Sequence, residues 1–197
     1  MLIEPWQSRP DLTEIRLQII AEGLLNVRHD TYAELATPLD DNYSRACATF
    51  GRQRQYLLQL AQSKRYDWLS LASPAMDLTI NIGNTPIRFF TDDHASPKKR
   101  GYFRRNEVDQ LFSTDDNEPV IFRFVVEPAL TSEDEDQVFL LGHNAHQELV
   151  VEWQYHPVAT ILHAVDSSEP KTVVQAEAEI GLKSASDHQD DKAANDS

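Results

Sequence analysis

The stretch that decides the fold is residues 78–90, Leu78-Thr79-Ile80-Asn81-Ile82-Gly83-Asn84-Thr85-Pro86-Ile87-Arg88-Phe89-Phe90. Apolar and polar side chains alternate up to Ile82, which is the period of a strand with one buried face. The pair Gly83-Asn84 is a turn signal, and a second run of β-branched and aromatic residues follows it. The stretch therefore predicts a β-hairpin, and near it the chain changes from helical to strand periodicity.

Upstream of the hairpin, apolar residues recur at helical spacing. Asp11 and Glu14 have the spacing of a capping box, which predicts that a helix begins there. Two overlapping apolar stripes on this helix predict that it packs on two sides and needs a partner helix. We expect it to break near residues 26–30 and to end at Thr37-Pro38, because the residue before a proline is pushed out of the α region.

A second helix is expected to begin at Asp40 or Asp41 and to continue through Leu71. The short loop at 37–41 predicts that the two helices form an antiparallel hairpin. Cys47 falls on the apolar face of the second helix, which indicates a buried structural thiol. Because it is the only cysteine, the chain forms no intramolecular disulfide.

Downstream of the hairpin the sequence indicates a charged loop over 91–105, an acidic loop over 128–136 and a short helix over 107–112. Runs of β-branched and aromatic residues predict further strands. The expected strands are 120–126, 138–141, 148–155 and 158–165.

The overall fold class is α+β, with an N-terminal helical hairpin, a mostly antiparallel β-sheet and a disordered acidic C-terminal tail. The tail has no apolar residue larger than alanine, so it cannot bury enough surface to offset its ordering entropy. The expected regions are residues 1–73 (helical), 74–183 (β-rich) and 184–197 (tail).

Charge divides unevenly along the chain. Residues 1–112 hold 14 Lys and Arg against 14 Asp and Glu, whereas residues 113–197 hold 4 against 18, which gives the whole chain its net charge of −14. This excess of negative charge argues against a protein that coats nucleic acid. The asymmetry points to partners, and the candidate contact residues are Lys98, Lys99, Arg100, Tyr102, Phe103, Arg104, Arg105, Glu133, Asp134, Glu135 and Asp136.

The basic segment, residues 98–105, has three interpretations. Its cations and aromatic rings are typical of a contact for nucleic acid or for an acidic partner. Alternatively it is a solvated loop whose rings fold into the core. In the third interpretation the acidic stretch 133–136 docks on it, within one chain or between two subunits, through ion pairs that salt weakens.

Motifs for catalysis and cofactor binding are missing from the sequence. Its six glycines are far apart, which excludes a P-loop and a dinucleotide fingerprint, and no G-x-S-x-G elbow occurs. His143 and His146 flank a turn, but their spacing matches no common zinc pattern. We therefore predict no catalytic residue, no cofactor and no metal ligand.

The first functional hypothesis is a non-enzymatic interaction protein, an adaptor, regulator or inhibitor that binds another macromolecule through the basic segment and an acidic surface. A protein partner is expected, with nucleic acid as an alternative at 98–105, and self-association stays open. We expect a cytoplasmic protein without a membrane contact, because the chain has neither a secretory signal nor an apolar run of about 18 residues.

Two alternatives belong to other classes. One is a metal-dependent phosphodiesterase or nuclease-like enzyme whose ions would be held by carboxylates from separate elements. Its candidate ligands are Asp92, Asp93, Asp115, Asp116 and Glu118. The other is a structural subunit of a larger assembly.

Overall fold

Three helices precede six strands in the computed structural model, which describes residues 2–104, 118–129, 131 and 134–157. The helices are α1 (Pro5–Ser8), α2 (Glu14–Glu34) and α3 (Asn42–Gln62). The strands are β1 (Leu69–Ser73), β2 (Thr79–Ile82), β3 (Thr85–Thr91), β4 (Ile121–Glu127), β5 (Gln137–His143) and β6 (Leu149–Gln154). Two long N-terminal helices followed by one sheet make this an α+β fold, as the sequence predicts.

The six strands form one sheet in the order of the sequence, β1-β2-β3-β4-β5-β6. All neighbours are antiparallel except β3 and β4, which are parallel. The predicted hairpin is confirmed: Ile82 pairs with Thr85 across the two-residue turn, and Gly83 has a φ of +58°. A parallel pair cannot be joined by a tight turn, so the chain crosses the sheet between Thr91 and Ile121.

β4 is buried on both faces from Ile121 to Val126. Successive side chains of a strand point to opposite faces. Phe122 and Phe124 therefore belong to the main core with α2 and α3, whereas Val125 belongs to a smaller cluster on the second face. A strand that reads as a continuous apolar run is typical of a parallel position covered on both sides.

α2 and α3 pack on one face of the sheet as an antiparallel pair. The Gln53 side-chain amide donates to the Leu24 carbonyl at 2.9 Å and joins the two helices. Phe50 of α3 stacks on Phe89 of β3, with ring centroids 5.3 Å apart. The predicted two-sided packing of the first helix is wrong at one position: α2 contacts both α3 and the sheet, but Ile15, on the same stripe as Leu12 and Ile19, is 71% exposed.

The predicted start of the first long helix is also wrong. Its N-cap is Thr13, and the carboxylate of Asp11 accepts a hydrogen bond from the Asn84 backbone N–H at 3.2 Å. Asp11 thus serves the hairpin turn, which sequence spacing could not show. The helix continues to Glu34 without the expected break near 26–30, where the buried Arg28 lies over the Tyr32 ring.

The second long helix begins where predicted, because the Asp41 side chain accepts from Ser44 N–H at 2.7 Å and caps it. It ends at Gln62 and not beyond Leu71. Leu69 and Leu71 instead lie in β1 and pair with β2. Apolar spacing in so short a run fits a strand as well as a helix, and pairing with the hairpin decides between them.

Cys47 is exposed, so the predicted buried thiol is wrong. The buried residues of α3 begin only at Thr49 and recur every four residues to Ala61. The first two turns of the helix, with Tyr43 76% exposed, bury no side chain. The apolar stripe in the sequence therefore extends beyond the part of the helix that meets the core.

The strands predicted from 120, 138 and 148 onward are confirmed as β4, β5 and β6. The expected helix at 107–112, the strand at 158–165 and the tail at 184–197 lie outside the described residues. The boundaries of the three regions stay predictions. Among the described residues, no helix has both the length and the apolar character that a membrane crossing requires.

Two glycines in the helices predict opposite effects of the same substitution. Gly→Ala in a helix usually stabilises by about 0.5–1 kcal/mol, and Gly51→Ala should do so because a Cβ there meets no atom within 4 Å. A Cβ at Gly23 would lie 2.0 Å from the Tyr56 hydroxyl oxygen. Gly23→Ala should therefore lower the free energy of unfolding by about 1–3 kcal/mol. Urea unfolding measures both, and a stabilised Gly23→Ala variant would contradict this packing.

Candidate functional site

The basic segment lies on the second face of the sheet, opposite α2 and α3. Lys98, Lys99, Arg100 and Arg104 are exposed, and Arg105 lies outside the described residues. Tyr102 is only 1% exposed and packs with the second-face cluster. A partner therefore cannot contact this ring. Its burial agrees with the second interpretation of the basic segment, a solvated loop whose rings fold into the core.

Two aspartates fix the start of this loop through backbone amides. The Asp92 carboxylate accepts from Lys98 N–H at 2.7 Å and from Lys99 N–H at 2.6 Å. The Asp93 carboxylate accepts from Ala95 N–H at 2.9 Å. Short acidic side chains are common in such turns because they replace a missing backbone acceptor. The two aspartates thus hold the lysines at the surface.

Two arginines fix the end of the loop. Arg88 of β3 and Arg123 of β4 are register partners and are both buried. Arg123 donates to the Tyr102 carbonyl and to the Arg104 carbonyl, each at 3.1 Å. Arg88 donates to the Arg104 carbonyl at 3.3 Å. The parallel ladder therefore presents two adjacent guanidinium groups to the backbone of the basic segment.

Aromatic rings surround Tyr102 beneath the loop. Phe103 meets it edge to face at a centroid distance of 4.9 Å, and His143 does so at 5.5 Å. Burial raises the pKa of the Tyr102 hydroxyl well above its ordinary value. Burial, and to a lesser degree the charge of Arg123, lowers the pKa of His143 to about 4. Both side chains are therefore neutral near pH 7.

An open pocket of 770 Å³ lies beside the loop. Three arginines line it, Arg88, Arg100 and Arg104, together with one acidic residue, Asp77. Asp77 lies 3.5 Å from Arg88, and within the described part of the chain neither Arg100 nor Arg104 forms an ion pair. The rest of the lining is largely apolar and comprises Phe50, Met76, Leu78, Phe89 and Phe90. We call this the arginine pocket; its chemistry suits an anionic group attached to an apolar one.

The described residues of the acidic stretch 133–136 form no ion pair with the described residues of the basic segment. Asp136 forms an ion pair with Arg28 of α2 at 2.7 Å. Asp134 accepts from the Thr131 hydroxyl at 2.8 Å within its own loop. Glu135 is exposed, and Glu133 lies outside the described residues. Asp136 therefore has a structural role, because its ion pair with Arg28 connects the β4–β5 loop to α2.

The carboxylates proposed for a two-metal enzyme are spread over the sheet. Asp93 follows the end of β3, whereas Glu118 precedes β4 and pairs with Arg9 at 2.7 Å. Because β3 and β4 are parallel strands of seven residues, these groups lie at opposite ends, roughly 20 Å apart. Asp92 is taken up by backbone amides, and Asp115 and Asp116 lie outside the described residues.

The sequence did not reveal that Asp77 and Arg88 line the arginine pocket. It also did not reveal the pair of His94 and Glu127, whose Nδ1 and Oε2 atoms are 2.6 Å apart. Arg88 carries the clearest available signal, because an arginine between Ile87 and Phe89 must find acceptors inside the fold. The partners of Arg88 could not be predicted, because no local sequence pattern indicates the parallel register of β3 with β4.

Comparison with known proteins gives no relative: no family model, no curated protein and no solved structure matches the chain.

Removing the buried Arg123 should destabilise the protein strongly. Arg123→Met leaves the carbonyls of Phe122, Tyr102 and Arg104 without this donor, and an unsatisfied buried group costs about 1–3 kcal/mol. We expect a loss of about 3 kcal/mol or more in the free energy of unfolding, measured with urea. Arg54→Met is the matched control, because Arg54 also donates to loop carbonyls but at the surface, and it should cost about 0.5 kcal/mol. Equal losses would contradict the role given to Arg123.

The low pKa of His143 predicts a stability that falls in mild acid. The unfolded chain takes up a proton near pH 6.5, whereas the folded protein does so only near pH 4, so stability is lost as the pH falls between these values. From pH 7 to pH 5 this costs about 2 kcal/mol. His143→Leu should reduce the loss between these pH values by that amount in urea unfolding. His29→Asn, at an exposed histidine, should leave it unchanged, and a His143→Leu variant with the wild-type pH dependence would refute the argument.

Proposed function

We propose that the chain is a non-enzymatic interaction protein that binds an acidic segment of a protein partner at the arginine pocket. The observation that carries this proposal is that three arginines and a set of apolar residues line one open pocket. The partner segment would place an apolar side chain on the floor and carboxylates against Arg100 and Arg104. Arginine is suited to this task because its planar fork binds carboxylates in a bidentate manner.

The neighbouring lysines favour the same partner. Lys98 and Lys99 are exposed on the loop that carries Arg100, so positive charge extends beyond the pocket. Exposed charges of one sign raise the rate at which an oppositely charged partner meets the surface. Because the whole chain carries −14, this attraction is local, and within a Debye length of about 8 Å it competes with the acidic remainder.

The loop that presents these cations is anchored before any partner binds. Asp92 holds its beginning, and Arg88 and Arg123 hold its end. A surface that is already ordered loses little conformational entropy on binding, which favours affinity. This anchoring supports a docking role for residues 98–104 over a role as a solvated loop.

A protein partner is favoured over nucleic acid for two reasons. The negative net charge repels a phosphate backbone as a whole. Nonspecific binding of single strands also relies on exposed rings for base stacking, and Tyr102 is buried. Self-association and a second contact through Glu135 stay predictions, as do the roles of adaptor, regulator and inhibitor.

The test compares three forms of the full chain as bait in extract of the native host. They are the wild type, Arg100→Glu with Arg104→Glu, and the control Lys64→Glu with Arg65→Glu, which makes the same change in net charge at the end of α3. A captured protein that the wild type and the control retain is then purified, and its affinity is measured by fluorescence anisotropy. We expect the pocket variant to bind at least about 10-fold more weakly and the wild-type affinity to fall with added salt.

Three results would count against this function. The pocket variant and the control could bind the captured protein equally well. The wild-type affinity could be the same at low and high ionic strength. Capture could also disappear on nuclease treatment, which would assign the basic segment to nucleic acid.

A further inference from the structure

We propose that Asp93, His94 and Glu127 form a binding site for one divalent transition-metal ion such as Zn²⁺. One ligand atom from each residue lies within 4.8 Å of the other two, so small side-chain movements bring all three around one ion. This site goes beyond the proposed function and does not depend on it.

The topology of the sheet assembles the three residues. Asp93 and His94 are the second and third residues after β3, and Glu127 ends β4. β3 and β4 are the parallel pair, so their carboxyl ends meet at one edge of the sheet. Ligand sites of sheets with parallel strands are commonly found outside such carboxyl ends, where the loops leave an opening.

The imidazole of His94 is already oriented for coordination. Its ring stacks on Phe139 with a centroid distance of 3.9 Å and an angle of 9° between the planes. Its Nδ1 atom lies 2.6 Å from the Glu127 carboxylate in a hydrogen bond, so a bound ion would replace the shared proton and take both atoms as ligands. The two side chains are 31% and 24% exposed, which leaves a path for an ion and for the water that completes its coordination.

Asp93 supplies the third ligand from a fixed carboxylate. One oxygen, Oδ1, accepts from the N–H groups of Ala95 and Ser96, at 2.9 and 3.2 Å. Such hydrogen bonds to a ligand carboxylate are typical of metal sites because they hold the second oxygen in place. The preceding Asp92 is excluded from the site, since its carboxylate serves the amides of the basic segment.

The donor set selects the class of ion. Ca²⁺ and Mg²⁺ prefer oxygen ligands, whereas an imidazole nitrogen with two carboxylates suits Zn²⁺ and its neighbours. The two carboxylates balance the charge of a divalent ion. The ion would tie the beginning of the loop that carries the basic segment to the end of β4, and so stiffen that loop.

The test is a titration of the chelator-treated full chain with ZnCl₂, by calorimetry and by thermal unfolding. All variants carry Cys47→Ser, because that exposed thiol would bind zinc by itself. We expect one ion bound and a rise in Tm of about 5 °C at a zinc concentration of about 100 times Kd. His94→Asn and Glu127→Gln should each weaken binding at least about 10-fold. Glu127→Gln keeps a hydrogen-bonding group beside His94, so its Tm without zinc should equal that of the parent. If that Tm is unchanged, a loss of zinc affinity does not come from unfolding.

His29→Asn is the matched control, because His29 also lies beside a carboxylate, 3.7 Å from Asp30, but on the open surface of α2. It should bind zinc as tightly as the parent. The proposal is overturned if the parent shows neither heat of binding nor a rise in Tm, or if His94→Asn binds zinc with the parent's affinity. An equal rise in Tm with MgCl₂ at the same concentration would overturn the assignment to a transition metal.

Discussion

Arg88 and Arg123 stand side by side on the parallel strands β3 and β4, and their guanidinium groups donate to the backbone carbonyls of the basic segment. A buried guanidinium is costly unless its donors are satisfied. The loop supplies the acceptors, and in return the arginines cover polar backbone that lies against the sheet. The basic segment thus covers part of the second face of the sheet, and Tyr102 is buried beneath it.

The surface that we propose for binding follows from this arrangement. With its carbonyls turned toward the sheet, the loop turns the side chains of Lys98, Lys99 and Arg100 to the outside. Arg88 contributes to both structures, because it holds the loop and lines the arginine pocket. Among the described residues of the acidic stretch, Asp136 forms its ion pair with Arg28 and not with the basic segment.

The sequence predicts those parts of the fold whose signals are local. The Gly83-Asn84 turn, the Asp41 cap and the apolar run of β4 each act within a few residues, and all three are found in the structure. Two of the failures concern residues whose role depends on distant partners. Asp11 reaches the hairpin turn, and Leu69 and Leu71 pair with β2, where local spacing had indicated a helix cap and a longer helix.

The candidate site divides in the same way. The exposed cations of residues 98–104 could be recognised from composition. The burial of Tyr102, the contribution of Arg88 and the meeting of His94 with Glu127 could not, because each needs the register of β3 on β4. That register brings together residues that lie more than 30 positions apart in the chain.

The crossover between β3 and β4 also has a consequence for the order of folding. The β2–β3 hairpin and the β4–β5–β6 meander consist of strands joined by short or moderate loops, so each half can form locally. Their union into one sheet requires closure of the chain over residues 92–120, and the entropy of that closure must be lost before the parallel ladder stabilises anything. The transition state for folding should therefore lie at the joining of two preformed halves, with the arginine pair among the last contacts to form.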